Sequence, residues 1–183
     1  MNRPPGSRSR LKSAMSKRVL ILDTSVLCCW LQVPGKEEAG PLNDRWNHDR
    51  IDVLLEQERA KDSTFVLPIA TLIETGNHIA QAPRQRFERA SSLAGYLREA
   101  ADARSPWAAF TDQSQLWQAK NLRALADSWP QLATGGTSIG DATIKDVAEY
   151  YAKAGYFVEI LTGDAGLKAY EPAQPVAIPR RRR

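Results

Sequence analysis

The sequence lacks any long apolar run and contains very little cysteine. No stretch of the chain approaches the ~20 consecutive apolar residues that a membrane-spanning helix requires. The N-terminal region also lacks the apolar middle segment of a secretory signal peptide. These absences argue against a membrane protein and against a secreted one. We therefore expect a cytoplasmic protein that does not bind a membrane.

The cysteines, Cys28 and Cys29, are adjacent in the chain. Neighbouring cysteines do not form a normal disulfide with each other, and no Cys-x-x-Cys spacing of the zinc-binding kind is present. The sequence thus excludes a disulfide framework and a structural zinc site of that type. We interpret both thiols as packing groups in a reducing compartment.

Basic residues are concentrated at the two ends of the chain. Residues 1–17 and 179–183 hold nine of the 25 Lys and Arg residues and no acid, so the body carries 16 basic and 21 acidic residues. The body therefore has a net charge of about −5. We expect one domain at 18–178, flanked by disordered tails that either grip a polyanion or are simply solvated.

Short apolar runs alternate along the chain with longer segments of helical periodicity. Strands are predicted at 19–22, 64–67, 107–110, 156–161 and 176–178. Helices are predicted at 25–31, 43–61, 69–82, 83–103, 113–128 and 141–154. This alternation is typical of an α/β protein with a mainly parallel central sheet.

Four carboxylates stand where a charge needs an explanation. Asp23 and Asp164 each follow an apolar strand, at the sheet edge where sites of α/β proteins are assembled. Asp141 opens a helix after a glycine-containing loop, and Glu74 lies in a mostly apolar helical segment. Basic residues are absent from 19–35, 62–83, 124–144 and 154–167. Local ion pairs therefore do not account for these acids.

If the four carboxylates converge, they repel one another. Two carboxylates ~5 Å apart repel by roughly 3 kcal/mol at an effective dielectric constant of about 20, so the cluster needs protons or a cation to neutralise it. Ligand sets made only of oxygen favour Mg²⁺ or Mn²⁺, which in turn favour phosphate substrates. The predicted chemistry is metal-assisted hydrolysis of a phosphodiester.

Each aspartate also has a simpler interpretation, in which it caps a helix. Asp23 or Thr24 fits the N-cap position of the following helix. Ser138-x-x-Asp141 fits a capping box, and Asp164 precedes a short helical turn. From the residues alone, the cap and the metal ligand remain alternative roles for each of these acids.

Other types of site fit the sequence less well. The loop 135–140 fails as a P-loop because Asp141 stands where a lysine is required. It also fails as a dinucleotide-binding fingerprint, since no clear strand precedes it. A phosphatase of the Asp-x-Asp type is disfavoured because Ser25 occupies the second aspartate position. His78, four residues after Glu74, is interpreted as a polar group on its helix and not as a ligand.

Taken together, these motifs resemble the PIN-domain nucleases, particularly the ribonuclease toxins of bacterial toxin–antitoxin pairs. The matching segments are 19–27 (VLILDTSVL), Glu74 in its helix, 140–142 (GDA) and 161–164 (LTGD). The resemblance implies a three-layer α/β/α fold and Mg²⁺- or Mn²⁺-dependent cleavage of RNA. The segments 32–61 and 84–103 make this chain longer than compact members and are expected to be helical insertions.

The resemblance also implies the roles of individual residues. The catalytic and metal-binding residues that it implies are Asp23, Glu74, Asp141 and Asp164. The supporting hydroxyl groups are those of Ser25 and Thr162. Apart from the resemblance, the negative charge of the body requires basic groups to bind substrate phosphates, and the candidates are Arg84, Arg86 and Arg89 and the two basic tails. The expected partner is RNA, with an antitoxin protein and a homodimer left open.

Two alternative functions remain for the same fold. The first is a catalytically idle PIN-like subunit that binds nucleic acid or serves as a scaffold. The four acids argue against it, because a protein that only binds phosphates gains nothing from four anions facing them. The second is a structure-specific DNA nuclease, which the sequence does not distinguish from a ribonuclease.

Overall fold

The computed structural model describes residues 17–174, which are organised around a central strand. Strands β1 (Arg18–Leu22), β2 (Thr64–Val66) and β3 (Phe157–Leu161) form a sheet in the order β2-β1-β3, and both pairings are parallel. In this register, Ile21 lies opposite Val66 on one side and Ile160 on the other. The predicted α/β class and parallel sheet are confirmed, and the carboxyl ends of the strands share one edge.

Within the described residues, seven α-helices and one 3₁₀ helix connect and cover the strands. The α-helices are α1 (Thr24–Trp30), α2 (His48–Ala60), α3 (Ile69–Gln81), α4 (Arg86–Ala101), α5 (Ala119–Thr134), α6 (Ile139–Lys153) and α7 (Ala165–Lys168). The 3₁₀ helix is Phe110–Trp117, directly before α5. None of the helices in this part of the chain combines the length and the hydropathy needed to cross a membrane.

The side chains of β1 alternate between two apolar clusters, one on each face of the sheet. Leu20 and Leu22 pack with residues of α1, α2, α3 and α4. Val19 and Ile21 pack with residues of α6, β3 and α7. All four side chains are completely buried. The unbroken apolar run of β1 is therefore explained by burial on both faces, as is usual for a strand inside a parallel sheet.

The strand predicted at 107–110 is wrong. Trp107 forms only a single parallel bridge with Phe65. Two backbone hydrogen bonds of 2.8 Å hold it, from Phe65 N–H to Pro106 O and from Ala108 N–H to Phe65 O. Because Pro106 carries no N–H, it cannot extend the ladder, and the chain turns into the 3₁₀ helix instead.

The helix predicted at 113–128 is wrong at both ends. Its first part is the 3₁₀ helix, and α5 then continues through Pro130. The following loop stabilises this second part, since Thr137 N–H donates to Leu132 O at 3.1 Å. The Trp129 indole also donates to Thr137 O at 3.2 Å. These contacts between the loop and the last turn outweigh the tendency of proline to end a helix.

The other predicted elements within 17–174 agree with the structure, with shifted ends. The start of α2 moves because the Asn47 side chain accepts a hydrogen bond from Arg50 N–H at 3.0 Å and caps the helix there. The predicted strand at 176–178 and the tail at 179–183 lie outside the described residues. So does the tail at 1–17, apart from Lys17.

Glu58 of α2 is a buried carboxylate that links this helix to β1. Its oxygens accept hydrogen bonds from Lys61 Nζ at 2.8 Å and Ser63 Oγ at 2.6 Å, and Arg18 Nε lies 3.2 Å away. Burial alone would raise the pKa of the Glu58 carboxyl. The three partners outweigh burial and hold this pKa below its ordinary value.

We expect Glu58→Gln to lower the free energy of unfolding by about 1.5–3 kcal/mol near neutral pH, the range for hydrogen bonds to a charged group. Because the folded-state pKa lies below the unfolded one, this stabilisation is present above about pH 4.3 and is lost as the pH falls through the folded-state value. Urea unfolding between about pH 7 and pH 3 measures it.

Glu56→Gln is the matched control, because Glu56 is exposed and pairs only with Arg59 among the described residues. We expect this change to alter the free energy of unfolding by less than about 0.5 kcal/mol. A difference between wild type and Glu58→Gln that does not shrink at low pH would contradict the interpretation.

Candidate functional site

A cavity of about 310 Å³, here called the acid pocket, lies at the edge of the sheet where β1 and β3 end. Its wall contains all four carboxylates singled out in the sequence, namely Asp23, Glu74, Asp141 and Asp164. The rest of the wall comes from α1, α3 and the loop at 31–47. Acids separated by up to 141 positions in the chain therefore face one space.

Asp23 is buried and forms the centre of a hydrogen-bond network. Its Oδ2 accepts hydrogen bonds from Ser25 Oγ at 2.7 Å, Thr162 Oγ1 at 2.8 Å and Ser25 N–H at 3.2 Å. The two hydroxyl groups in turn accept from the turn after β3, Ser25 from Gly163 N–H and Thr162 from Asp164 N–H, both at 2.9 Å. The predicted supporting hydroxyls thus join the ends of β1 and β3.

Glu74 reaches the pocket from α3, which packs against α1. Its Oε2 accepts a hydrogen bond from Thr24 Oγ1 at 2.9 Å. A second contact orients the carboxylate: Glu74 Oε1 lies directly against the backbone of Gly140, so closely that a Cβ at that position would collide with it. The position of Glu74 therefore depends on the packing of α3 against α6.

The aspartates Asp141 and Asp164 cap helices at the pocket. Asp141 forms a capping box with Ser138 at the start of α6, its Oδ2 accepting from Ser138 Oγ at 2.8 Å. Asp164 Oδ1 accepts from Gly166 N–H at 2.6 Å and Leu167 N–H at 3.0 Å and caps α7. Asp23 caps α1 in the same way. The structural interpretation of all three aspartates is confirmed.

The caps leave half of each carboxylate available for another ligand. Within residues 17–174, the hydrogen bonds to each of Asp23, Glu74, Asp141 and Asp164 use a single oxygen of the carboxylate. Among the described residues, the second oxygen of each group has no hydrogen-bond partner and no ion pair. These oxygens are Asp23 Oδ1, Glu74 Oε1, Asp141 Oδ1 and Asp164 Oδ2. A cap and a metal ligand are therefore compatible roles for one residue.

Helix termini reduce the mutual repulsion of these acids. Asp23, Asp141 and Asp164 lie at the N-termini of α1, α6 and α7, where backbone N–H groups carry partial positive charge. Carboxylates at such positions are stabilised by about 0.3–1 kcal/mol each. This arrangement explains how the chain places the acids together although basic residues are absent from the neighbouring sequence.

The carboxylates line the pocket, but they are too far apart to coordinate one metal ion all together. Among the described residues, no three His, Cys, Asp or Glu side chains lie close enough to hold one metal ion together. Mg²⁺ commonly keeps several waters and takes only one or two protein carboxylates directly. The free carboxylate oxygens fit this mode of binding, in which waters span the remaining space.

The loop at 31–47 contributes residues that the sequence patterns did not identify. Lys36 and Glu38 both line the acid pocket, and Lys36 is a cation within reach of the acids. An antiparallel bridge between Ala39 and Trp46 shapes this loop. Lys36 follows a Pro-Gly turn in an aperiodic segment, so no periodic signal indicates its position.

Glycine allows this loop to approach the turn after β3. A Cβ at Gly163 would lie 2.7 Å from Gly40 N and 2.9 Å from Ala39 Cβ. Any larger residue at Gly163 would push the loop away from the turn. The absence of a side chain therefore brings Lys36 and Glu38 into the pocket wall, and the two glycines are the only sequence signal for this contact that we identify.

Cys28 and His78 also line the pocket. Both cysteines are buried and free, in agreement with the predicted packing role. Burial raises the pKa of the Cys28 thiol to about 11, so it is protonated near neutral pH and is a poor nucleophile or metal ligand. His78 is half-buried on the same face of α3 as Glu74.

The predicted substrate-binding arginines lie outside the acid pocket. Arg89 lines a neighbouring polar cavity of about 390 Å³, which shares Glu38 with the acid pocket. Arg86 Nε donates to Ala82 O at the start of α4, and Arg84 is exposed. Their role in substrate binding stays a prediction, and Arg89 lies nearest to the site.

We expect Thr162→Val to lower the free energy of unfolding by about 1–3 kcal/mol, because it leaves Asp164 N–H and one site on Asp23 Oδ2 without their hydrogen bonds. Valine keeps the shape of the buried side chain, so cavity formation does not contribute.

Urea unfolding measures the difference in the free energy of unfolding between Thr162→Val and the wild type. The matched control is Thr134→Val, since the exposed Thr134 hydroxyl donates only to Gln131 O. Equal effects of the two changes would contradict a role of Thr162 in the network.

Assignment of a function to this chain rests on the side chains around the acid pocket. The pocket wall contains five carboxylates, the four predicted ones and Glu38, together with one lysine, and the hydroxyls of Ser25 and Thr162 support Asp23. Such a set can bind a divalent cation and a phosphate group next to it. Comparison with known proteins adds no relative: no protein-family model matches the chain, and neither a curated protein nor a solved structure is detectably similar to it.

Proposed function

We propose that this chain is a PIN-like endoribonuclease that hydrolyses phosphodiester bonds with Mg²⁺ or Mn²⁺ as its cofactor. The observation that carries the proposal is the convergence of Asp23, Glu74, Asp141 and Asp164 on one pocket, each with a free carboxylate oxygen. The parallel sheet with apolar clusters on both faces supports a three-layer α/β/α arrangement of the PIN type.

The donor set of the pocket fits a hard divalent cation. The residues that would hold it are Asp23, Glu74, Asp141 and Asp164, one or two of them directly through an oxygen that has no hydrogen bond and the others through bound waters. When bound, such a cation supplies positive charge that activates a water and stabilises the developing charge on the phosphate. Neutral nitrogen and sulfur ligands contribute little to the wall, because only His78 and the protonated Cys28 belong to these types.

The protein's own groups organise the reaction in three ways. The network around Asp23 holds its carboxylate in one orientation, since Oδ2 is saturated by three donors and Oδ1 points free of them. The turn after β3 is fixed by the same hydroxyls, which positions Asp164. Lys36 provides a positive charge for the phosphate that enters between the acids.

An idle binding subunit is the less favoured alternative. A protein that only holds nucleic acid relies on basic groups to neutralise phosphates, whereas the acid pocket contains five carboxylates, including Glu38, and one lysine. Such a wall repels RNA unless a cation is bound. The acidic wall therefore supports catalysis over simple binding. Whether the substrate is RNA or DNA is a question for the experiment below.

The test is cleavage of a single-stranded RNA and of a DNA of the same sequence by the full chain. We expect cleavage with Mg²⁺ or Mn²⁺, little turnover with Ca²⁺ and none in EDTA, because Mg²⁺ imposes a tighter octahedral geometry than Ca²⁺. Metal binding is followed independently by the melting temperature, which should rise with Mg²⁺ concentration. Full cleavage in EDTA would exclude the proposal. If only the DNA is cleaved, the substrate is DNA and not RNA.

Several earlier expectations stay predictions at this point. They are the toxin role with an antitoxin partner, the homodimer and the cytoplasmic location. For the toxin role, we predict that expression of the wild type arrests growth whereas expression of Asp23→Asn does not. Harmless accumulation of an active enzyme would remove the toxin role and keep the nuclease.

A further inference from the structure

A second cavity, here called the apolar cleft, lies beside the acid pocket. It has a volume of about 320 Å³ and is formed by α3, α5, α6 and the end of the 3₁₀ helix. Seven large apolar side chains are exposed within residues 17–174, and four of them line this one cleft. They are Ile73, Trp117, Leu122 and Ile139. A contiguous group of exposed apolar side chains indicates a binding site, whereas single exposed apolar residues are common on any protein surface.

The apolar cleft and the acid pocket share a wall. Glu74 lines both cavities. Gly140 lines the cleft, and the next residue, Asp141, lines the acid pocket. A group bound in the cleft therefore lies within one side chain of a phosphate bound between the acids. In a nucleotide chain, one ribose separates a phosphate from the neighbouring base, which is a similar distance.

We propose that the apolar cleft receives an unpaired nucleobase next to the scissile phosphate, so that the substrate is single-stranded at this position. The inference rests on the proposed nuclease function and names its substrate class. Base stacking on an aromatic side chain suits Trp117, which lines the cleft and is 37% exposed. A base inside a duplex is stacked on both faces and does not enter the cleft without being flipped out.

The chemistry of the wall favours a base over other occupants. No Lys or Arg lines the cleft among the described residues, so it is unsuited to phosphate. A partner helix needs a groove for anchors over two turns or more, whereas this cavity has the size of a small-ligand pocket. The nearly apolar wall offers few groups to read base edges, so the cleft accepts bases with little discrimination.

The experiment measures Kd for an unstructured RNA of about eight nucleotides and for a series of the same RNA with one abasic ribose at each position. The full chain carries Asp164→Asn, which prevents cleavage and lies away from the cleft. We expect Trp117→Ala to weaken binding of the intact RNA by about tenfold. For one position of the abasic ribose, we expect Kd for the protein with Trp117 to rise about tenfold relative to the intact RNA. With that same abasic RNA, Trp117→Ala should raise Kd by less than about a further twofold, because the base that the indole contacts is already missing.

Ile73→Ala is the second cleft variant, and Val53→Ala is its matched control. Both side chains are β-branched, lie on helices and are 57% exposed, but Val53 of α2 is outside the cleft. We expect weaker RNA binding only for Ile73→Ala. Thermal melting of each variant shows whether it is folded.

Three results would overturn the proposal. An equal effect of Trp117→Ala on every abasic RNA would show that the indole does not contact a base. Unchanged Kd values for both cleft variants, with a change in molecular mass by light scattering, would assign the cleft to a second protein chain. Absence of RNA binding together with absence of RNA cleavage by the wild type would remove the nuclease as well. The first two results, obtained with a wild type that cleaves RNA, would remove the base site and keep the nuclease.

Discussion

Replacing Asp23 with asparagine should lower the rate of metal-dependent RNA cleavage by about 10³-fold and leave the fold intact. The carboxylate Oδ2 accepts three hydrogen bonds from Ser25 and Thr162, and an asparagine carbonyl oxygen can accept the same donors. Asparagine is also as good an N-cap as aspartate. The substitution thus removes the charge and the free oxygen, while the network that joins β1 and β3 is kept.

Cleavage under single-turnover conditions and thermal melting in EDTA measure the two effects of Asp23→Asn separately. We expect the melting temperature to stay the same or to rise, because one anion leaves a group of acids that has no metal to neutralise it. Asp127→Asn on the exposed face of α5 is the control for the loss of a charge. A large loss of stability with retained cleavage would show that Asp23 is only a helix cap.

Replacing Gly140 with alanine should lower cleavage by about 10²-fold with little loss of stability. The new Cβ would collide with Glu74 Oε1, which has to move away. The atom that moves is the end of a flexible side chain and not backbone, so the fold accommodates the change. A displacement of a catalytic group by about 1 Å is enough for a loss of this size.

Gly95→Ala is the control for the general effect of alanine on a helix. Nothing lies within 4 Å of a Cβ built at Gly95, and this residue of α4 is outside the acid pocket. We expect a gain of about 0.5–1 kcal/mol in stability and unchanged cleavage. If Gly140→Ala cleaves RNA as fast as Gly95→Ala, then Glu74 is not required in its present position.

The acids of the pocket could be identified from the sequence, because local preferences place them. Asp23, Asp141 and Asp164 stand at helix starts, where short-range hydrogen bonds favour aspartate. The choice between cap and ligand was not decidable from the sequence. The structure shows that each aspartate is a cap and that the cap uses one oxygen only, so that a further role as metal ligand stays a proposal.

Two elements were predicted less well, because a contact outside the apolar periodicity outweighs a local preference in each. Pro130 predicted the end of a helix, but hydrogen bonds between the end of α5 and Thr137 keep it helical beyond that point. Trp107 was predicted in a strand, but its ring packs against Phe65 and its backbone forms only one bridge. For Trp107 a tertiary contact outweighs the local preference for a strand, whereas for Pro130 a C-terminal cap a few residues further along the chain keeps the helix intact.

The residue pattern alone predicts the α/β class, the strands β1, β2 and β3, and the aspartates at the starts of α1, α6 and α7. Apolar periodicity and capping depend on residues within one or two turns of each other. Tertiary packing places Glu74 opposite these aspartates, brings Lys36 into the same wall and forms the apolar cleft beside them. These arrangements depend on the contact of Glu74 with Gly140 and on the approach of Gly40 to Gly163. Close packing of residues far apart in the chain leaves no periodic pattern in the sequence.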